Sequence, residues 1–133
     1  MKRRGDLEAT LDDVFSDFIR LRDADMNGTI RCYCCNYPTF WKSAHNGHFF
    51  GRTNRGTRWN ELNCHTCCPV CNTSLSGNLE AYEEHLIRDY GVHIIDRLTM
   101  LKNTVTKFAE YELKDMIDLY REKVKILRKE KGL

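Results

Sequence analysis

All seven cysteines of this 133-residue chain fall between Cys32 and Cys71, and their spacing leaves few ways for the middle of the chain to fold. Cys32 and Cys35 form one C-x2-C pair and Cys68 and Cys71 another, with 32 residues between the pairs. Four thiolates from two such knuckles make the closed tetrahedral site that structural Zn2+ prefers. Cys64 and Cys67 have the same spacing, so the pairing is not unique; Pro69 and Asn72 read as a tight knuckle turn and favour Cys68 with Cys71. Cys34, Cys64 and Cys67 are then read as small buried residues and not as ligands. The odd cysteine count and the clustering in pairs argue against disulfides, and no thioredoxin-like βαβ pattern supports a redox pair. A zinc closed by four cysteines has no open position, so it is scaffolding for chemistry that other residues must supply.

The length suits one domain in three stretches. In residues 1–28, Leu11, Val14, Phe15, Phe18 and Leu21 recur at helical spacing from Leu7 to Asp25, and Asn27-Gly28 stops the helix. Residues 29–91 hold the irregular, cysteine- and histidine-rich centre. Short strands are predicted at Thr39–Trp41 and His48–Phe50, an exposed basic loop from Gly51 to Arg58, and a helix from Leu79 to Tyr90 ended by Gly91. So polar a centre cannot hold itself together by burial alone, and a structural metal supplies what is missing. In residues 92–133 neither glycine nor proline occurs before Gly132, which predicts one or two long amphipathic helices. They either pair with a second subunit or fold back on the first helix.

No apolar run approaches the roughly 20 residues that span a bilayer, and polar residues follow the basic Met1–Arg4 run where a signal peptide would be apolar. The expectation is an intracellular, cytoplasmic protein with no membrane partner. Net charge is only +2, but between Met26 and Leu79 five basic residues face one acid, giving +4 there and −2 in the flanks together. A polyanion is drawn to the centre, where Lys42, Arg52, Arg55 and Arg58 are candidate DNA-binding residues. Between and beside the knuckles stand His45, His48, Asn63, His65 and Asn72. Phosphodiester hydrolysis needs a base for water, for which histidine is suited near pH 7, and a hard divalent ion that an asparagine oxygen can ligate. Singly, each has a plainer reading: His65 as a core or zinc-proximal residue, Asn72 as a turn cap.

The order of these residues resembles a known family. The run from Phe15 to Ala24, Cys32-x2-Cys35, Gly47-His48-Phe49, Arg58, Asn63-x-His65, Cys68-x2-Cys71-Asn72, Ser76-Gly77-Asn78, Tyr82, Leu86 and Tyr90-Gly91 together are similar to the phage NinG/Rap recombination proteins, Holliday-junction and branched-DNA endonucleases of lambda-like phages. The knuckles with Asn72 directly after the last cysteine also resemble phage endonuclease VII, of the HNH superfamily. The resemblance implies a small α+β fold, a zinc-stapled ββα-metal (HNH-like) core flanked by an N-terminal helix and long C-terminal helices. It implies His48 as general base, Asn63 as a brace for the loop carrying that base, and Asn72 as ligand to a catalytic Mg2+ or Mn2+. Where the family has the aspartate of Asp-Ala-Gly-His, expected as second ligand, this chain has His45, a softer donor that shifts preference from Mg2+ toward Mn2+, Ni2+ or Zn2+. Cys67 also replaces a usually polar residue. The implied host is a phage-infected or prophage-carrying bacterium. The implied partner is branched DNA, met by a C2 homodimer through the C-terminal helices.

Three functions follow from these readings. The first is a metal-dependent endonuclease, for which the cluster of His45, His48, Asn63 and Asn72 is the discriminating feature. The second is a non-catalytic zinc module binding nucleic acid through its arginines. The third is an adaptor whose helical tail is the working part.

Overall fold

Leu7, Leu11, Phe15 and Phe18 recur every three to four residues, which places them on one side of a helix. In the computed structural model, which describes residues 3–133, they lie on α1 (Arg4–Asp23). Met1 and Lys2 of the basic run lie outside the described residues. The stripe is buried against Leu113, Ile117 and Tyr120 of α5 (Glu110–Lys131), with Trp59 and Cys64 completing this core. Phe15 and Tyr120 meet edge to face, ring centroids 4.8 Å apart. The two helices run parallel. At one end the Arg4 guanidinium donates to the Phe108 carbonyl. At the other, the Lys131 ammonium donates to the carbonyls of Leu21 at 2.7 Å and Ala24 at 2.6 Å. A cation on carbonyls that α1 leaves without helical partners satisfies both the hydrogen bonds and the helix dipole.

The tail therefore folds back on the first helix, and the apolar face that invited a second subunit is covered within the chain. Between α1 and α5 the chain forms two small antiparallel sheets. β1 (Thr29–Arg31) pairs with β2 (Pro38–Phe40), and β3 (His45–His48) pairs with β4 (Cys64–Cys67). In the second sheet His45 stands opposite Cys67 and His48 opposite Cys64. The strand predicted at His48–Phe50 thus lies earlier, and the predicted basic loop contains a short helix, α2 (Arg55–Arg58). A π-type turn, Val70–Ser74, leads to α3 (Leu79–Tyr90), ended by Gly91 at φ 95°, and then to α4 (Ile94–Asn103). The whole is a small α+β fold.

Two contacts tie the helical pair to β4. Arg22 donates to the carbonyls of Glu61 at 3.0 Å and Cys64 at 2.9 Å. Asp23 accepts from the Thr66 backbone at 2.9 Å and hydroxyl at 2.8 Å. Burial disfavours the Asp23 charge, yet Arg22 and Thr66 outweigh it and hold the carboxyl below its ordinary range. On the far side α2 presses on the end of α4 so closely that a Cβ on Gly56 would lie 2.1 Å from the Leu101 carbonyl oxygen, which only glycine permits.

The α1–α5 interface is thus expected to carry much of the stability. Leu11→Ala, at a fully buried site, should cost about 2–5 kcal/mol in urea denaturation. Val105→Ala, at 97 % exposure, should change it by less than about 0.5 kcal/mol.

Candidate metal centre and adjoining cleft

The first knuckle, Cys32–Cys35, is the turn between β1 and β2, closed by the Asn36 amide donating to the Cys32 carbonyl at 2.8 Å. Asn36 takes the left-handed conformation, φ 66°, that such a turn requires. The second knuckle follows β4. There the Asn72 amide donates to the Cys68 carbonyl at 3.0 Å, and the Cys71 amide points at Cys68 Sγ at 3.4 Å. The sulfurs of Cys32, Cys35, Cys68 and Cys71 lie within 4.8 Å of one another, with only Cys35 exposed. Asn78 donates to Cys71 Sγ at 3.5 Å. N–H groups aimed at sulfur stabilise thiolate charge, and the four cysteines are positioned to hold a structural metal, as zinc requires. The knuckles chosen from sequence are the ones that meet.

Cys64 stays apart, fully buried against the helical core, and burial pushes its thiol up. Cys34 and Cys67 are buried, as the sequence reading has them, and with Cys32 their sulfurs form a second group of three within the same distance of one another.

Immediately beside the second knuckle opens a cleft of about 590 Å³, lined by His45, His48, Arg52 and Asn72 and, from α1, by Asp12 and Arg20. The Asn72 amide nitrogen and His45 Nδ1 meet at 3.1 Å. His48 lies at the end of β3, with Nε2 2.9 Å from the Arg58 carbonyl oxygen. A carbonyl only accepts, so Nε2 carries the proton and Nδ1 is the basic nitrogen. Burial lowers the His48 pKa, which favours the neutral ring. Asn63 is buried, donates to the carbonyls of Phe50 and Thr57 at 3.0 Å each, and accepts from the Phe50 amide at 2.9 Å. It pins the segment that leaves His48.

Beneath the β3–β4 hairpin runs a buried polar chain. Tyr82 of α3 donates to the Gly47 carbonyl at 2.7 Å, and its oxygen lies 3.2 Å from His65 Nδ1. His65 Nε2 lies 2.9 Å from the Tyr90 hydroxyl, and the ring stacks on Tyr33 with centroids 4.0 Å apart. Burial, then Arg22, lowers the His65 pKa to about 4, so the ring is neutral and can accept from Tyr90 while donating to Tyr82. Of its two sequence readings, His65 takes that of a satisfied core residue.

Arg58 donates to Asp12 at 2.6 Å and Glu8 at 3.2 Å, and Arg55 to Glu8 at 3.1 Å. Glu8 is buried, and two guanidiniums on its side answer its charge. Arg58 is thereby held against α1, and Arg55 pairs with Glu8 while its side chain stays half exposed. Lys42 and Arg52 remain exposed at the cleft, although Arg52 also approaches Asp12 at 3.6 Å. The sequence reading missed α1 altogether as a wall of this cleft. The signal was there: Glu8, Asp12, Ser16 and Arg20 recur every four residues beside the buried stripe, a polar row on one helix edge.

A pair of cysteine knuckles beside a histidine–asparagine cleft, built on a β-hairpin and held by a pair of helices, defines a small α+β protein with four cysteines placed to hold a structural metal. The model of the family described as Bacteriophage Lambda NinG protein matches residues 1–130, and the chain belongs to that family. It is 34% identical over 116 residues to protein ninG of Escherichia phage lambda, covering 84% of this chain and 52% of that protein. The ninG proteins of Escherichia phage 933W and Salmonella phage P22 are each 33% identical over 116 residues, covering 84% of this chain and 53% and 52% of theirs. The chain spans about half the length of these relatives. No solved structure matches it. Among the described residues, no helix is long and apolar enough to cross a membrane.

The two kinds of arginine are separable by stability. Arg58→Ala takes the paired guanidinium from Asp12 and leaves Glu8 with Arg55 alone, and should destabilise the fold by roughly 3 kcal/mol in urea. Arg52→Ala, at an exposed side chain, should leave the unfolding midpoint almost unchanged.

Proposed function

We propose that this chain is a metal-dependent DNA endonuclease of the HNH kind, hydrolysing phosphodiester bonds in branched DNA during phage recombination. The observation that carries this reading is His48. Its Nε2–H is held by a backbone carbonyl, its ring is kept neutral by burial, and it lines the same cleft as the His45–Asn72 pair. A fixed tautomer with one basic nitrogen beside the substrate position is what a general base for water needs. The order of β3, β4 and α3, with the base ending the first strand and Asn72 just after the second, suits a ββα-metal core.

Within this reading each residue has a part. His48 takes a proton from the attacking water at Nδ1. Asn63 fixes the backbone just beyond His48 and so fixes the ring's reach. His45 and Asn72 would hold a divalent ion such as Mg2+ or Mn2+, and the histidine inclines the pair toward Mn2+. When bound, that ion neutralises charge building on the phosphate. Arg52 and Lys42 hold neighbouring phosphates without reading bases, which suits recognition of DNA by shape. Asp12, on the wall opposite, is tied to Arg58 and leaves less negative charge facing a polyanion than its position suggests. The reading as a non-catalytic zinc module is weakened, because Arg55 and Arg58 are spoken for by α1.

Junction symmetry makes a dimer economical. With its inner face on α1, α5 offers a second subunit only the outer stripe of Tyr111, Leu119 and Ile126, all exposed. A monomeric mass by light scattering, with and without a four-way junction, would rule the dimer out.

On a labelled four-way junction with Mn2+ or Mg2+, the protein should cut, and His48→Ala should lose about 10²–10⁴-fold in rate. Binding without cutting in the wild type would overturn the nuclease reading. The pH dependence follows from the sign of the shift. The base works when neutral, and burial places its pKa below the ordinary 6.5. The midpoint of the acid limb of cleavage should therefore lie below pH 6.5, and that limb should be absent from residual His48→Ala activity.

A further inference from the structure

Cys34 and Cys67 are two of the three thiols that a single zinc would leave over. Cys34 Sγ lies 3.8 Å from Cys67 Sγ, and both are buried. Each lies within 4.8 Å of Cys32 Sγ, so Cys32 belongs to two thiol groups at once, one of four sulfurs and one of three. We propose that the chain holds a second zinc ion, bound by Cys34, Cys67 and Cys32, with Cys32 Sγ bridging the two ions.

Three observations favour an ion over packing or a disulfide. The first is convergence. Cys67 reaches the group only because its partner strand carries glycine: a Cβ on Gly47 would lie 2.6 Å from Cys67 Sγ. The second is charge. A zinc with four thiolates carries two formal negative charges. Adding Zn2+ while Cys34 and Cys67 each release a proton leaves that total unchanged, so no further charge is buried. A monovalent soft ion such as Cu+ would add one. The third is a fourth donor. Zinc prefers four ligands, and the Gly77 carbonyl oxygen lies 3.6 Å from Cys34 Sγ. A Cys34–Cys67 disulfide would require an oxidant, and the sulfurs stand well beyond the roughly 2.05 Å of an S–S bond. An ion requires only the metal that the first site already takes.

The second ion does something the first cannot. The four ligands of the first site all come from turns, whereas Cys67 lies within β4, directly opposite His45. A bridged pair would fasten the hairpin carrying His45 and His48 to the first knuckle through a strand residue. This inference does not depend on the nuclease reading.

Metal content of the full chain tests it. After loading with Zn2+ and exhaustive dialysis, inductively coupled plasma mass spectrometry should find two zinc ions per chain, falling to one in Cys34→Ser and in Cys67→Ser. Cys64→Ser, which removes a buried thiol outside the cluster, should keep two. The fully 113Cd-substituted wild type should give two resonances with scalar coupling through the shared sulfur. This readout needs no variant to fold. A single 113Cd resonance, or one zinc per wild-type chain with Cys34 and Cys67 reacting as free thiols, would overturn the proposal. So would retention of two ions in Cys34→Ser, which would place the second ion elsewhere.

Discussion

Everything between α1 and α5 hangs on sulfur. The segment from Thr29 to Asn78 contains strands of only three or four residues and two small sheets that share no strand. Strands that short do not hold a register by themselves. A metal held by the cluster joining the β1–β2 turn to the turn after β4 would make the two sheets one body, because a bound ion contributes its binding energy directly to folding. The cysteines sit among Tyr82, Leu86, Ile94 and Leu98, so the same centre also anchors α3 and α4. The helical pair then closes over the other side through Arg22 and Asp23, whose bonds reach the strand that carries Cys64 and Cys67.

Electrostatics within this frame is local and divided. The central segment looks uniformly basic when its charges are counted along the chain. In space, two of its four basic residues beyond β2, Arg55 and Arg58, pair with Glu8 and Asp12, Arg55 remaining half exposed, while Lys42 and Arg52 face solvent at the cleft. A buried carboxylate costs several kcal/mol unless it is paired, and Glu8 has been given two guanidiniums. The result is that the apparent DNA-binding loop is half a folding element.

How much of this the sequence disclosed depends on how local the signal was. The Leu7–Phe18 stripe, the Gly91 stop and the two knuckles are short-range patterns with one physical meaning, and each appears in the structure where the pattern put it. The ligand set of Cys32, Cys35, Cys68 and Cys71 could be chosen over the Cys64 alternative because the turn residues differ. What could not be read was whatever required two distant elements to be placed together. The destination of α5 was left between two options because an amphipathic face says that it is covered, not by what. The polar row of Glu8, Asp12, Ser16 and Arg20 acquires a role only where β3 is laid beside it. Helical spacing does not report that the Tyr82 hydroxyl holds the Gly47 carbonyl one residue before His48. The convergence of Cys34 and Cys67 on Cys32 depends on the register of β3 with β4, which no single stretch of sequence reports.

Arg58 is held at both of its ends. Its guanidinium is locked to α1, while its carbonyl holds His48 Nε2. The tautomer of that histidine is thereby tied to the seating of α1, the helix that walls the same cleft. α1 in turn keeps its place through Leu113, Ile117 and Tyr120 on the far helix. A transient fraying of that interface, of the kind hydrogen exchange detects as sub-global opening, would let the Arg58 backbone drift and the imidazole turn. If His48 serves as the proposed base, only molecules closed throughout would hold its ring in the working tautomer, and a partly opened chain would be inactive even with its cysteine cluster intact.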